Sequence, residues 1–146
     1  MKDVLSAALT TFASCAKSLD GVKSVLNAYE MGELPISIHG LQGSFLSVVI
    51  ALLSKENQGS ILVVTPTEKE ADLVAGDLRI FAKTEVLELP PWGTLPYSGQ
   101  SPLPSVYGRR ADTLNRLLTE DDCVVVAPLR SFINPIPDPI HISSNT

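Results

Sequence analysis

The chain has 146 residues, 45% of them hydrophobic, which suits one domain with a real core. Its net charge of −5 and pI near 4.9 argue against a free-standing nucleic-acid binder, which would carry a basic field. The two cysteines, Cys15 and Cys123, lie far apart without a C-x-x-C or Cys/His cluster, so they read as reduced core thiols and suggest neither a disulfide framework nor a zinc site.

Residues 3–19 place Val4, Leu5, Ala8, Leu9, Phe12, Cys15, Ala16 and Leu19 at three- and four-residue steps, one apolar helical face. The N-terminal run is too polar for a signal-peptide core, and no apolar run reaches membrane-spanning length, so a cytoplasmic protein without a membrane role is expected. After Asp20-Gly21 a second helix carries Val22, Val25, Leu26 and Tyr29 and stops near Gly32 and Pro35. Residues 1–34 thus form a pair of docking helices.

Residues 35–53, PISIHGLQGSFLSVVIALL, read as a strand over 36–38, a glycine turn and a buried helix. The turn invites comparison with G-x-x-x-x-G-K-[ST], in which a second glycine lets the backbone wrap phosphates, a lysine meets their charge and a hydroxyl holds magnesium. Counted from Gly40, Phe45 falls on the second glycine, Leu46 on the lysine and Ser47 on the hydroxyl. Phenylalanine resists the backbone conformation glycine tolerates there, and leucine has no charge. The turn therefore reads as a strand-to-helix connection whose glycines, Gly40 and Gly43, permit close packing, with no cofactor site. Nor does G-x-x-G supply the G-x-G-x-x-G of a dinucleotide turn.

Residues 60–65 contain a continuous apolar run suited to a buried parallel strand. Thr67-x-x-Glu70 is a capping box for a helix to about residue 83, offering Leu73, Val74, Leu78, Ile80 and Phe81 to the sheet. A third strand over 85–89 ends at Pro90-Pro91. Residues 90–104 form a proline-, glycine- and serine-rich connection, and long loops in compact domains usually do something. A helix over 106–118 presents Ala111, Leu114, Leu117 and Leu118 inward and Arg109, Arg110 and Arg116 to solvent. Strand 123–127 follows, then one helical turn over 128–133 and a proline-rich, polar tail, 135–146. The whole is an α/β fold: a parallel sheet of about four strands with helices on both faces.

Several residues invite functional readings. Trp92 and Tyr97 in the long loop could anchor a partner, or fold back over the sheet edge. Arg109, Arg110, Arg116 and Arg130 could meet phosphate or an acidic partner, or form a solvated face balanced by Asp112, Glu120, Asp121 and Asp122. His39 stands where a strand meets a turn, but with only His141 besides it and no nucleophile motif it is not assigned a catalytic role.

The segment WGTLPYSGQSPLPSVYGRRADTLNRLL, residues 92–118, resembles the N-terminal region of the bacterial transcription-repair coupling factor, as do VVTPTEKEADLVAGDL before it and VVVAPLRSFINPIPDP after it. The resemblance covers about residues 33–138. It implies a degenerate P-loop NTPase (RecA-like) half-domain over 35–134, similar to the first domain of the excinuclease B component but without its working phosphate turn. In that family the half-domain precedes an inserted domain that contacts the excinuclease A component, then the return of the first domain, a domain that contacts RNA polymerase, and a motor that uses ATP and magnesium to translocate on DNA. The resemblance places none of these after Thr146, which leaves either a cut fragment or the product of a shortened gene. It implies a non-catalytic scaffold that supports recruitment of the excinuclease A component during transcription-coupled repair. The alternative is a nucleotide-binding NTPase-type domain with an atypical phosphate loop.

Overall fold

The computed structural model describes residues 2–57, 59–94, 99–120, 122–133 and 136. Tyr97, Asp121, His141 and almost all of the tail therefore lie outside the described residues. In chain order the elements are α1 (Lys2–Ser18), α2 (Asp20–Glu30), α3 (Ser44–Glu56), β1 (Ile61–Thr65), α4 (Glu68–Phe81), β2 (Glu85–Glu88), α5 (Pro104–Thr119), β3 (Cys123–Pro128) and a 3-10 turn, Leu129–Phe132. The Thr67 hydroxyl accepts from the Glu70 amide at 3.2 Å, so the N-terminal cap of α4 forms where Thr67-x-x-Glu70 places it. Pro104 opens α5, where its missing amide costs nothing.

The sheet is parallel with the order β1-β3-β2. Ile61 lies opposite Val124, and Glu85 opposite Cys123. The crossover from β1 to β2 steps over β3 and the crossover from β2 to β3 steps back, so two connections of one hand put their helices on opposite faces. Side-chain parity on β3 shows this directly. Val124 and Val126 pack with Ala71, Ala75 and Leu78 of α4 and with Ala51 of α3, whereas Cys123, Val125 and Ala127 pack with Leu114 of α5 and with Leu87 and Leu89. The opposite side of α3 meets the N-terminal helices through Val48, Val49 and Leu52 against Ala16, Val22 and Leu26. This layering explains why α3 is apolar on nearly every side.

Three strands are found among the described residues, not four. Residues 36–38 join no ladder. Proline at 35 donates no amide, and Gly40 turns the chain left-handed at φ 83°, so the segment is bounded at both ends. Without that strand β1 is an edge, and its ILVV run is half solvated: Leu62 is 55% and Val64 48% exposed, because α5 covers only β2 and β3.

Helix faces also differ from expectation. In α5 the buried residues are Arg110, Thr113 and Leu114, while Ala111 and Leu118 are exposed. In α4 the small residues Ala71 and Ala75 lie against the sheet, allowing close approach, and Leu73 and Ile80 point outward. Of the two thiols only Cys123 is in the core; Cys15 is exposed on α1.

Candidate functional site

The turn before α3 has neither the second glycine nor the lysine of a phosphate turn at the places counted from Gly40. Gly43 is the N-cap of α3 at φ 55°, with no side-chain cap, and Gly40 stands at φ 83°. A Cβ built on either meets nothing within 4 Å. Backbone conformation, not the close packing expected, is what demands glycine at both positions. Phe45, in place of the second glycine, packs against the cluster of Ala16, Val22, Leu26, Val48, Val49 and Leu52. Leu46 is half-buried. Ser47, the position of the magnesium-holding hydroxyl, is 0% exposed, and its Oγ has no hydrogen-bond partner among the described residues. No group of three or more His, Cys, Asp or Glu side chains able to hold a metal occurs among the described residues. At Phe45, Leu46 and Ser47 the turn thus presents no charged side chain and no exposed hydroxyl. His39 is exposed beside it.

The carboxyl end of the sheet is built around Arg110. The Leu89 amide prolongs the β2 pairing by donating to the Val126 carbonyl at 3.0 Å, and Pro90 and Pro91 then begin the long connection in buried positions. From α5 the Arg110 guanidinium, 1% exposed, reaches across this corner. It donates to the Pro90 carbonyl beyond β2 and, at 3.3 Å, to the Ser131 carbonyl beyond β3. Its central carbon lies 4.4 Å from the Trp92 ring centroid, and Trp92 meets Tyr107 edge-on at 4.8 Å. Two more bonds close the corner: Thr113 Oγ1 to the Glu88 carbonyl and Ser131 Oγ to the Leu89 carbonyl, both 2.7 Å.

Burial lowers the pKa of Arg110 by disfavouring its charged form. The charge is held by two carbonyl dipoles and an indole face, without a carboxylate partner among the described residues. Arg110 thus departs from the solvated basic face expected of α5. Helical spacing puts it in line with Val106, Leu114 and Leu117, and the corner of carbonyls left by Pro90 and Ser131 accepts a fork of donors better than it would an apolar side chain. Trp92 is half-buried beneath it, the folded-back alternative, and the Nε atoms of both side chains are buried without hydrogen-bond partners among the described residues.

The other arginines are divided. Arg109 is exposed. Arg116 pairs with Glu120 at 3.0 Å and with Glu85, and both carboxylates raise its pKa, Glu120 the more. Arg130 lies 3.9 Å from Glu68. Of the acids expected to balance this face, Glu120 alone does so among the described residues; Asp122 instead accepts from the Gly59 amide at 2.9 Å. Of the proposed partner surface, Trp92, Tyr97, Arg109 and Arg110, the structure brings half-buried Trp92 against buried Arg110 and leaves Arg109 at the surface, while Tyr97 lies outside the described residues.

Comparison with known proteins finds related sequences. A curated protein of Mycobacterium bovis is 41% identical over 86 residues, 54% of this chain. One of Bacillus subtilis is 28% identical over 127 residues, 86% of this chain. One of Escherichia coli is 24% identical over 96 residues, 66% of this chain. All three are named transcription-repair-coupling factor. This chain is similar to one region of the transcription-repair-coupling factors. The aligned region is 7% of the length of the M. bovis factor and 11% of that of B. subtilis. No family model matches the chain.

Proposed function

We propose that the chain is a non-catalytic supporting module of a transcription-repair-coupling factor, acting in transcription-coupled nucleotide excision repair. The observation that carries this reading is a phosphate-type turn turned inward: Phe45 packs, half-buried, against the core, Leu46 brings no charge and Ser47 is sealed from solvent. Similarity to the coupling factors supports the setting. In this reading the three-stranded sheet and its helices hold the position of neighbouring segments. The excinuclease A component is engaged through a further domain, and RNA polymerase and DNA, with ATP and magnesium, through the full-length factor. Residues 1–34 dock on the half-domain 35–134.

Calorimetric titration of the chain with ATP and magnesium tests the reading. The expected result is no saturable heat up to millimolar nucleotide. Saturable binding at micromolar concentration, about −8 kcal/mol, would overturn it in favour of a nucleotide-binding domain with an unusual turn.

A further inference from the structure

Between α1 and the C-terminal end of α4, with α3 as its floor, lies a cleft of about 510 Å³. Val48, Ala51 and Leu52 form the floor; Ala13 stands on one wall, and Ile80 and Phe81 on the other. The apolar surface continues outside the cleft, since Phe12, its ring 6.0 Å from that of Phe81 and tilted to it, and Ile80 are both about half exposed.

The rim has a distinct charge. Lys17, Lys55 and Lys83 line it with one acid, Glu56. Lys17 is bound to Glu56 at 2.7 Å, and neither Lys55 nor Lys83 has an ion pair among the described residues. Two uncompensated cations thus flank an apolar groove in a chain whose net charge is −5.

We propose that this groove binds an acidic amphipathic helix of a partner protein, with apolar side chains in the cleft and glutamates or aspartates over Lys55 and Lys83. Helices walling a groove with an apolar floor are the usual receptor for such a ligand, read through anchors at i, i+3 or i+4, and i+7. The rim lysines come from three separate places, α1, α3 and the residue pair beyond α4, so acids spread along a helix match them better than one head group would. Phe12 and Ile80 extend the apolar surface further than a small molecule inside the cleft could cover.

Fluorescence anisotropy with a labelled peptide of about 16 residues, some four helical turns, tests the proposal. The acidic peptide carries leucines at i, i+4, i+7 and i+11 with glutamates beside them. A second peptide has lysine for each glutamate, and a third has the acidic composition scrambled. Saturable binding of the acidic peptide alone is expected, weakened about tenfold by Lys55→Glu with Lys83→Glu and by raising salt from about 0.05 to 0.5 M. Both lysines are exposed, and circular dichroism of the double variant checks that it folds. Equal binding of the scrambled or basic peptide, or an affinity indifferent to both the double variant and salt, overturns the proposal. So does full competition by dodecanoate at an affinity equal to the peptide's, which would make the occupant a small anionic amphiphile.

Discussion

Replacing Arg110 by alanine tests the anchor at the carboxyl end of the sheet. The substitution removes two hydrogen bonds from a charged donor, to the carbonyls of Pro90 and Ser131, and a contact with the Trp92 face. Bonds to charged groups contribute about 1.5–3 kcal/mol each, and a desolvated cation–π contact about 2 kcal/mol, a gross loss of about 5–8 kcal/mol. Against this stands the desolvation of the guanidinium, several kcal/mol for a buried ion, which the variant no longer bears. Water entering the vacated space can also reach both carbonyls. The net cost is then about 2–3 kcal/mol, near 10 °C in melting temperature for a chain of this size. Arg109→Ala, one position away and exposed, should stay within about 0.5 kcal/mol. Urea denaturation measures both, and because Trp92 is the chain's one tryptophan, its emission should shift to longer wavelength in the Arg110 variant before any unfolding. If the two variants have equal stability, Arg110 does not bridge the strand ends and the reasoning fails.

Four further outcomes are expected. Ser47→Ala, which deletes a buried hydroxyl without a partner, should raise stability by up to about 1 kcal/mol, and a loss of that size in urea melts would show that the hydroxyl is bonded. Leu78→Ala, in the centre of the α4 face, should cost about 3–5 kcal/mol, whereas Leu62→Ser on the open face of β1 should cost within about 0.5 kcal/mol; equal losses on denaturation would mean that β1 is covered. Phe45→Gly with Leu46→Lys should release no phosphate from ATP above the unaltered chain, since hydrolysis also needs a positioned metal and groups at the γ-phosphate, and turnover would show that such machinery is present. The bond and charge of Glu56 raise the pKa of Lys17, so the pair's stabilisation is complete below the unfolded lysine value of 10.5 and lost as pH rises through the higher folded value. The difference in melting temperature between the parent and Lys17→Met should therefore be constant from neutral pH to about pH 9, and a decline within that window would count against the pairing.

Much of the architecture is legible in the sequence because it rests on local rules. Short apolar runs locate β1, β2 and β3, helical apolar patterns locate the five helices, and Thr67 with Glu70 marks the start of α4. What sequence patterns do not carry is which neighbour each face receives. Residues 36–38 and 61–64 have equally strand-like side chains, yet a strand exists only with a partner, and the first segment lacks one while β1 has it on one side. Arg110 repeats the lesson at one position. It stands in line with Val106, Leu114 and Leu117, a stripe that points inward, and that spacing signals burial more reliably than residue type. The carbonyls that receive it come from the turns after two other strands, which no local pattern brings together. Lys55 and Lys83 pass unnoticed in the sequence for the same reason: nearly thirty positions apart, they share a rim only because α4 packs along α3.

The edge position of β1 sets how the chain behaves in concentrated solution. Its outer side has amides and carbonyls without a ladder among the described residues, and its uncovered face shows Leu62 and Val64 to solvent. A row of that kind can template another strand, and natural proteins guard such rows with charges, prolines or bulges. Between Ile61 and Val64 there is no such guard; Pro66 and Glu68 come only after the strand has ended. Self-association of the chain should therefore begin along β1, rise with concentration, and yield to a single lysine at position 62 or 64 with little loss of stability.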